Sequence, residues 1–159
     1  IQNKLSIVGP ENENYWAFGD SYNKGAWALH TLRHVINNDT LWWETLKSFT
    51  QQHAKSNVNT QDFISHVEDK TKLNLDYFFE QYFFDKRIPT LEYFQEGDKL
   101  HYRWTGTVSG FTMPINVEIN GLEKRLFPNN EEQIESIDQY SVVHFKDWQF
   151  LYNKKIIQM

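Results

Sequence analysis

From Asp20 onward the apolar residues recur with the period of a helix. In DSYNKGAWALHTLRHVINN, Gly25, Leu29, Leu32 and Ile36 share one face, Asp20 or Ser21 can cap the start, and Asn37-Asn38 ends the pattern. Asp39 caps a second predicted helix, with Trp42, Leu46, Phe49 and His53 as its stripe. Asn59 or Thr60 opens a third, with Asp62 in its first turn and Phe63, Ile64 and Val67 facing inward. Asn74 caps a fourth, Leu75 to about Phe84, whose aromatic residues cover most of the circumference and predict a largely buried segment. The first nineteen residues have no sustained period and carry Gly9-Pro10 and an Asn/Glu cluster, which reads as irregular surface chain.

At DKRIPTLEY the period changes, because Pro89 ends helical options and the residues beyond it alternate in twos. Leu100, Tyr102 and Trp104 lie on one side of a strand, and Ile115, Val117 and Ile119 on one side of another. Asn120-Gly121 is a type I′ hairpin signal, Gly97-Asp98 closes an earlier hairpin, and SVVHF supplies a further strand. The expected fold class is therefore α+β, with a helical region over residues 1–88 and a small antiparallel β-sandwich over 89–159.

Composition narrows the function classes. A content of 40% hydrophobic and 16% aromatic residues with four prolines supports a real core built on large rings. The net charge of −5, with acids and bases mixed along the chain, lacks the basic stripe of a nucleic-acid binder. No apolar run approaches the roughly 20 residues of a membrane span. The absence of cysteine removes disulfides, thiolate metal sites and cysteine nucleophiles.

Candidate chemistry is sparse. His30 and His34 have the i, i+4 spacing of H-E-x-x-H zinc helices, but the sequence is HTLRH. Thr31 stands where the general-base glutamate is required and no third ligand follows at a suitable spacing, so the pair reads as ordinary, partly exposed histidines. Glu68-Asp69 and Glu131-Glu132 read as solvated carboxylates rather than acid/base couples. Gly25 is less expected, since glycine within a helix costs about 1 kcal/mol against alanine. Either another backbone packs closely there or the first turn lies against a ligand. Tyr22 stands in that same turn, where its hydroxyl can project into a cleft or its ring can pack on the neighbouring loop; the residues alone favour packing.

The order of motifs nevertheless carries a resemblance. YNKGAWALHTLRHVINNDTLWWETLKSF, followed by NTQDFISHVEDKTKLNLDYFFEQYFFDKRIP, resembles the segment downstream of the zinc site in the aminopeptidase N family of gluzincin metallopeptidases, which includes the leukotriene hydrolase. The likeness covers residues 4 to 90 in motif detail; from 91 to 159 it rests on order and pattern, MPINVEING resembling a proline-led strand of that family's sandwich. It implies that residues 1–88 are the second half of a thermolysin-like catalytic domain and 89–159 the sandwich that follows. It also implies that Tyr22 donates its hydroxyl to the oxyanion formed at the scissile carbonyl. The family's H-E-x-x-H helix and third ligand, a glutamate, would precede Ile1, so zinc is expected in a full-length parent and not in this chain. The implied partners are a peptide substrate and the missing upstream catalytic half, with self-association of the isolated chain through the face that half would cover. The isolated chain is expected to be inactive. The alternative implied by the same resemblance is a peptide-binding or scaffolding relative with the same fold whose zinc ligands have been lost.

Overall fold

The computed structural model describes residues 1–10, 13 and 20–157. The predicted irregular opening lies partly outside these, at 11–12 and 14–19. Helices α1 (Asp20–Ile36), α2 (Asp39–Gln52) and α3 (Thr60–Thr71) follow in order, and a short α4 (Asp76–Phe79) runs directly into a π-helical turn, Glu80–Phe84.

The capping chemistry explains most of the helix boundaries. Asn59 Oδ1 accepts from the Asp62 N–H at 2.9 Å while Asp62 Oδ2 accepts from the Asn59 N–H at 2.8 Å, a reciprocal capping box. For α2 the cap is Asn38, which accepts from the Leu41 N–H at 3.0 Å. Asp39, expected there, instead sits in the first turn and pairs with Arg33 at 2.6 Å. The buried side of α1 also departs from the expected face: Lys24, Ala28, Thr31, Leu32, Val35 and Ile36 point inward, whereas Leu29 is exposed. Lys24 and Thr31 are polar in sequence but carry specific bonds inside, which rotates the buried stripe away from Leu29.

In the fourth segment Phe78, Phe79, Gln81, Tyr82 and Phe83 are all buried. At 100° per residue those positions span an arc of about 200°, and Asp76, Glu80 and Phe84 on the remaining side are exposed, so the segment is largely buried but keeps one open face. Its end is widened: the Asp85 N–H donates to the Glu80 carbonyl, five residues back, at 2.9 Å.

Beyond Pro89, strands form two sheets. One has the order β5-β2-β1-β7, from β1 (Thr90–Glu96), β2 (Lys99–Thr105), β5 (Gln133–Ser136) and β7 (Asn153–Ile156). The other has the order β4-β3-β6, from β3 (Ile115–Ile119), β4 (Leu122–Leu126) and β6 (Val143–Phe145). Asn120 and Gly121 both have positive φ, 51° and 83°, as the type I′ turn between β3 and β4 requires. All pairings are antiparallel except β1 with β7, which is parallel, Thr90 opposite Asn153 through Tyr93 opposite Ile156.

The sheets meet where the Tyr93 and Phe145 rings touch, centroids 4.6 Å apart, and where Lys124 pairs with Glu135 at 2.7 Å. Trp104, almost fully buried, donates its indole N–H to the Met113 carbonyl at 2.9 Å. Leu91, Leu100, Ile115 and Val117 join Phe78 and Tyr82 in one apolar cluster, so the helices and sheets share a core.

Candidate active site

The first turn of α1 has two unlike sides. Inward, Asp20 is buried and its carboxylate accepts from the Gln2 N–H at 2.8 Å and the Asn3 N–H at 2.8 Å. One turn later Lys24 is 0% exposed, and its Nζ donates to the carbonyls of Asp85, at 2.8 Å, and Lys86, at 3.1 Å. Those carbonyls lie just beyond the π turn, where the chain becomes extended. Burial pushes the Lys24 ammonium below its ordinary pKa, and the Asp85 and Asp20 carboxylates oppose that shift.

Outward, Tyr22 is 72% exposed, and its hydroxyl has no hydrogen-bond partner among the described residues. Ala26, Trp27 and Leu29 are exposed on the same helix. Of the two roles that the cost of Gly25 suggested, close backbone packing is not seen among the described residues. A Cβ built there would meet Ile7 Cδ1 at 3.9 Å, an ordinary contact, and no backbone packs behind it among the described residues. Tyr22 therefore does not pack its ring away; its hydroxyl stands at the edge of the helix with no partner among the described residues.

His30 and His34 do not converge on a common point. Their rings meet edge to face, centroids 4.7 Å apart. His30 Nε2 lies 3.0 Å from the Trp148 carbonyl, which can only accept, so this nitrogen carries the proton and has no lone pair to offer a metal. His34 Nε2 is buried and unpartnered, and burial, reinforced by His30 and Arg33, lowers its pKa to about 4. Among the described residues no group of three or more His, Cys, Asp or Glu side chains could hold a metal ion, so the donor set does not fit zinc.

The acidic pairs also have structural partners. Glu68 accepts from the Leu75 N–H at 2.9 Å, Asp69 pairs with Lys72 at 2.7 Å, and Glu132 meets His101 Nδ1 at 2.8 Å. A cavity of about 700 Å³ is lined by Gln61, Asp76, Tyr77, Glu80, Phe84 and Thr112, among others, but by no residue of α1. It is separate from the Tyr22 side.

Several polar residues that periodicity passes over hold this arrangement together. Gln81, fully buried, donates to the Arg87 carbonyl at 3.0 Å and accepts from the Val108 N–H at 2.8 Å. Arg125, on β4, donates to the carbonyls of His34 at 3.0 Å and Val35 at 2.8 Å, closing the last turn of α1. Thr31 accepts from the Leu151 N–H at 2.8 Å. The available signal was the spacing 24, 28, 31, 35, a helical stripe in which a lysine and a threonine replace apolar residues.

The comparisons with known proteins bear on the helices and on the fold. The model of the Peptidase family M1 domain matches residues 6–82, which include Tyr22, Lys24 and Gln81. No curated protein matches the chain significantly. Among solved structures the chain is similar to an aminopeptidase A of Legionella pneumophila, determined in complex with aspartic acid, with a TM-score of 0.73 and 18% identity. The match covers 99% of this chain and 21% of that one, so the present chain spans about a fifth of its neighbour's length. At that identity the likeness shows the mixed α+β fold. Together with the family match over the helices, which takes in just under half of the chain, it supports a relationship to peptidase family M1.

Proposed function

We propose that the chain is part of a zinc-dependent aminopeptidase that removes N-terminal residues from peptides, with residues 1–88 as the C-terminal half of the catalytic domain and 89–159 as the β-sandwich that follows. Tyr22 is the oxyanion donor of this reaction. The observation that supports the reading is the exposed Tyr22 hydroxyl, without a hydrogen-bond partner among the described residues, on a first turn whose opposite side is anchored. A phenolic O–H placed where negative charge develops on the scissile carbonyl gains strength as the tetrahedral oxyanion forms, so it stabilises the transition state more than the bound peptide.

The described residues of this chain offer no zinc ligands, so the metal of such an enzyme belongs to residues outside them, and no step through it is assigned to this chain. By itself the chain is inactive. The exposed apolar side chains of α1, Trp27 and Leu29, form part of the surface that the upstream catalytic half covers, and the isolated chain self-associates through it.

The test is Tyr22→Phe in the full-length protein. Loss of one oxyanion donor lowers kcat by roughly 10²–10³-fold and leaves KM nearly unchanged. Zinc content, measured alongside, stays at the parental level. Turnover at half the parental rate or better would remove Tyr22 from the reaction. A full-length protein that binds peptides without cleaving them would instead identify the chain as part of a non-catalytic relative.

A further inference from the structure

Lys24 has no place in the chemistry above, yet it is the most anomalous side chain in the helix. Removing a lysine from water completely is costly, and a methionine or leucine of similar length would fill the same space at lower cost. What Lys24 has that they lack is a donor group, and both of its bonds go to backbone carbonyls 61 and 62 residues away, past the end of the π turn.

Its geometric relation to Tyr22 gives this contact a consequence. Two residues along an α-helix correspond to about 200° of rotation, so side chains 22 and 24 leave the same turn in nearly opposite directions. That turn is the weakest part of the helix, because its N–H groups lack partners within the helix and it frays unless something holds it. The Tyr22 side chain is exposed and its hydroxyl makes no hydrogen bond among the described residues, so it does not hold the turn. The inner side does: Asp20 ties it to the backbone of Gln2 and Asn3, and Lys24 ties it to Asp85 and Lys86. The rotational setting of the turn, and with it the direction in which the Tyr22 hydroxyl leaves the helix, is fixed from behind.

We infer that Lys24 is a positioning residue for Tyr22, holding the first turn of α1 against the Asp85–Lys86 backbone so that the hydroxyl meets the developing oxyanion. This rests on the oxyanion role proposed for Tyr22. An offset of about 1 Å in a catalytic group costs on the order of 10²-fold in rate, so an anchor on the opposite side of the helix has a measurable effect.

A double-mutant cycle in the full-length protein tests the inference, with Tyr22→Phe, Lys24→Met and both together. Lys24→Met is expected to lower kcat by roughly 10- to 100-fold with KM changed less than about twofold. The double variant is expected to match Tyr22→Phe alone, because a misplaced hydroxyl that is absent costs nothing further. Losses that multiply, or a Lys24→Met enzyme with parental kcat, overturn the role of Lys24 while leaving that of Tyr22 intact. An unimpaired Tyr22→Phe enzyme overturns the oxyanion reading first.

Fluorine NMR of protein labelled with 3-fluorotyrosine gives a readout independent of turnover. The Tyr22 resonance, identified by its loss in Tyr22→Phe, is expected to shift or broaden in Lys24→Met while those of Tyr93 and Tyr102 stay fixed. An unmoved Tyr22 resonance, or one that moves together with all the others, rejects positioning. Where Lys24→Met does not fold, Lys24→Arg replaces it, because a longer planar head cannot reach both carbonyls without displacing the turn; the same non-additivity is then expected at smaller amplitude.

Discussion

The helices between Asp20 and Phe84 and the strands between Thr90 and Ile156 share one apolar cluster, but they are fixed in place by different chemistry. In the helical part the buried polar residues Asp20, Lys24, Thr31, Thr45, His66 and Gln81 sit among the apolar ones, and each is engaged with specific partners. In the strand part the interior is chiefly rings and aliphatic side chains, led by Trp104, Phe111, Met113, Ile115 and Val117, and its buried polar residues are fewer: Glu92, paired with Arg103 and Lys155, His101, paired with Glu132, and Ser141, which accepts from Asn120. Apolar interiors accept other residues of similar volume, whereas a buried hydrogen bond accepts few substitutes. The helical interior is therefore expected to tolerate fewer substitutions than the strand interior.

Substitutions in the two regions sharpen this contrast. The largest loss is expected from Trp104→Ala, which empties a ring-sized volume at the meeting of helices and sheets. Urea unfolding should show a loss of about 3–5 kcal/mol. A loss below about 1 kcal/mol would mean that the two halves do not depend on a common core.

Gln81→Leu comes next. Its volume is similar, so an apolar reading predicts neutrality or a gain. The Arg87 carbonyl and the Val108 N–H would lose their partner, and the expected cost is about 1–3 kcal/mol for each group left unsatisfied. An unchanged unfolding midpoint would break the comparison, since the helical interior would then be as tolerant as the strand interior.

The smallest effect has the opposite sign. With only Ile7 Cδ1 at 3.9 Å from a Cβ at position 25, Gly25→Ala is expected to raise stability by about 0.5–1 kcal/mol through helix propensity. Destabilisation in the same unfolding assay would show that the turn needs glycine for a contact outside the described residues.

The legible parts of this fold are those where local chemistry and tertiary role agree. Asn59 and Asp62 announce the start of α3, Asn120-Gly121 announces a hairpin, and the alternation through Leu100, Tyr102 and Trp104 identifies the inner side of β2. Periodicity fails where a polar residue is buried, because it treats Lys24, Thr31 and Gln81 as solvent-facing and so places Leu29 on the inner side of α1. It also misses β5 and β7, whose residues Gln133–Ser136 and Asn153–Ile156 are short and mostly polar. Such segments become strands only through the partner beside them. Tyr22 stood out through the order of motifs around it; nothing in its own helical period separated a projecting hydroxyl from a packed ring.

The parallel pairing of β7 with β1 has a mechanical consequence. Tension applied between the chain ahead of Thr90 and the chain after Ile156 pulls the two strands along their lengths in opposite directions, since both run the same way. The bonds joining them, from Asn153 N–H to the Pro89 carbonyl at 2.8 Å through Ile157 N–H to the Tyr93 carbonyl at 3.1 Å, are then loaded in shear together. An antiparallel closing pair pulled from adjacent ends would open one bond at a time. Rupture under force follows the unfolding barrier rather than the equilibrium stability, so this short exposed strand gives the two-sheet unit a resistance to stretching out of proportion to the area it buries.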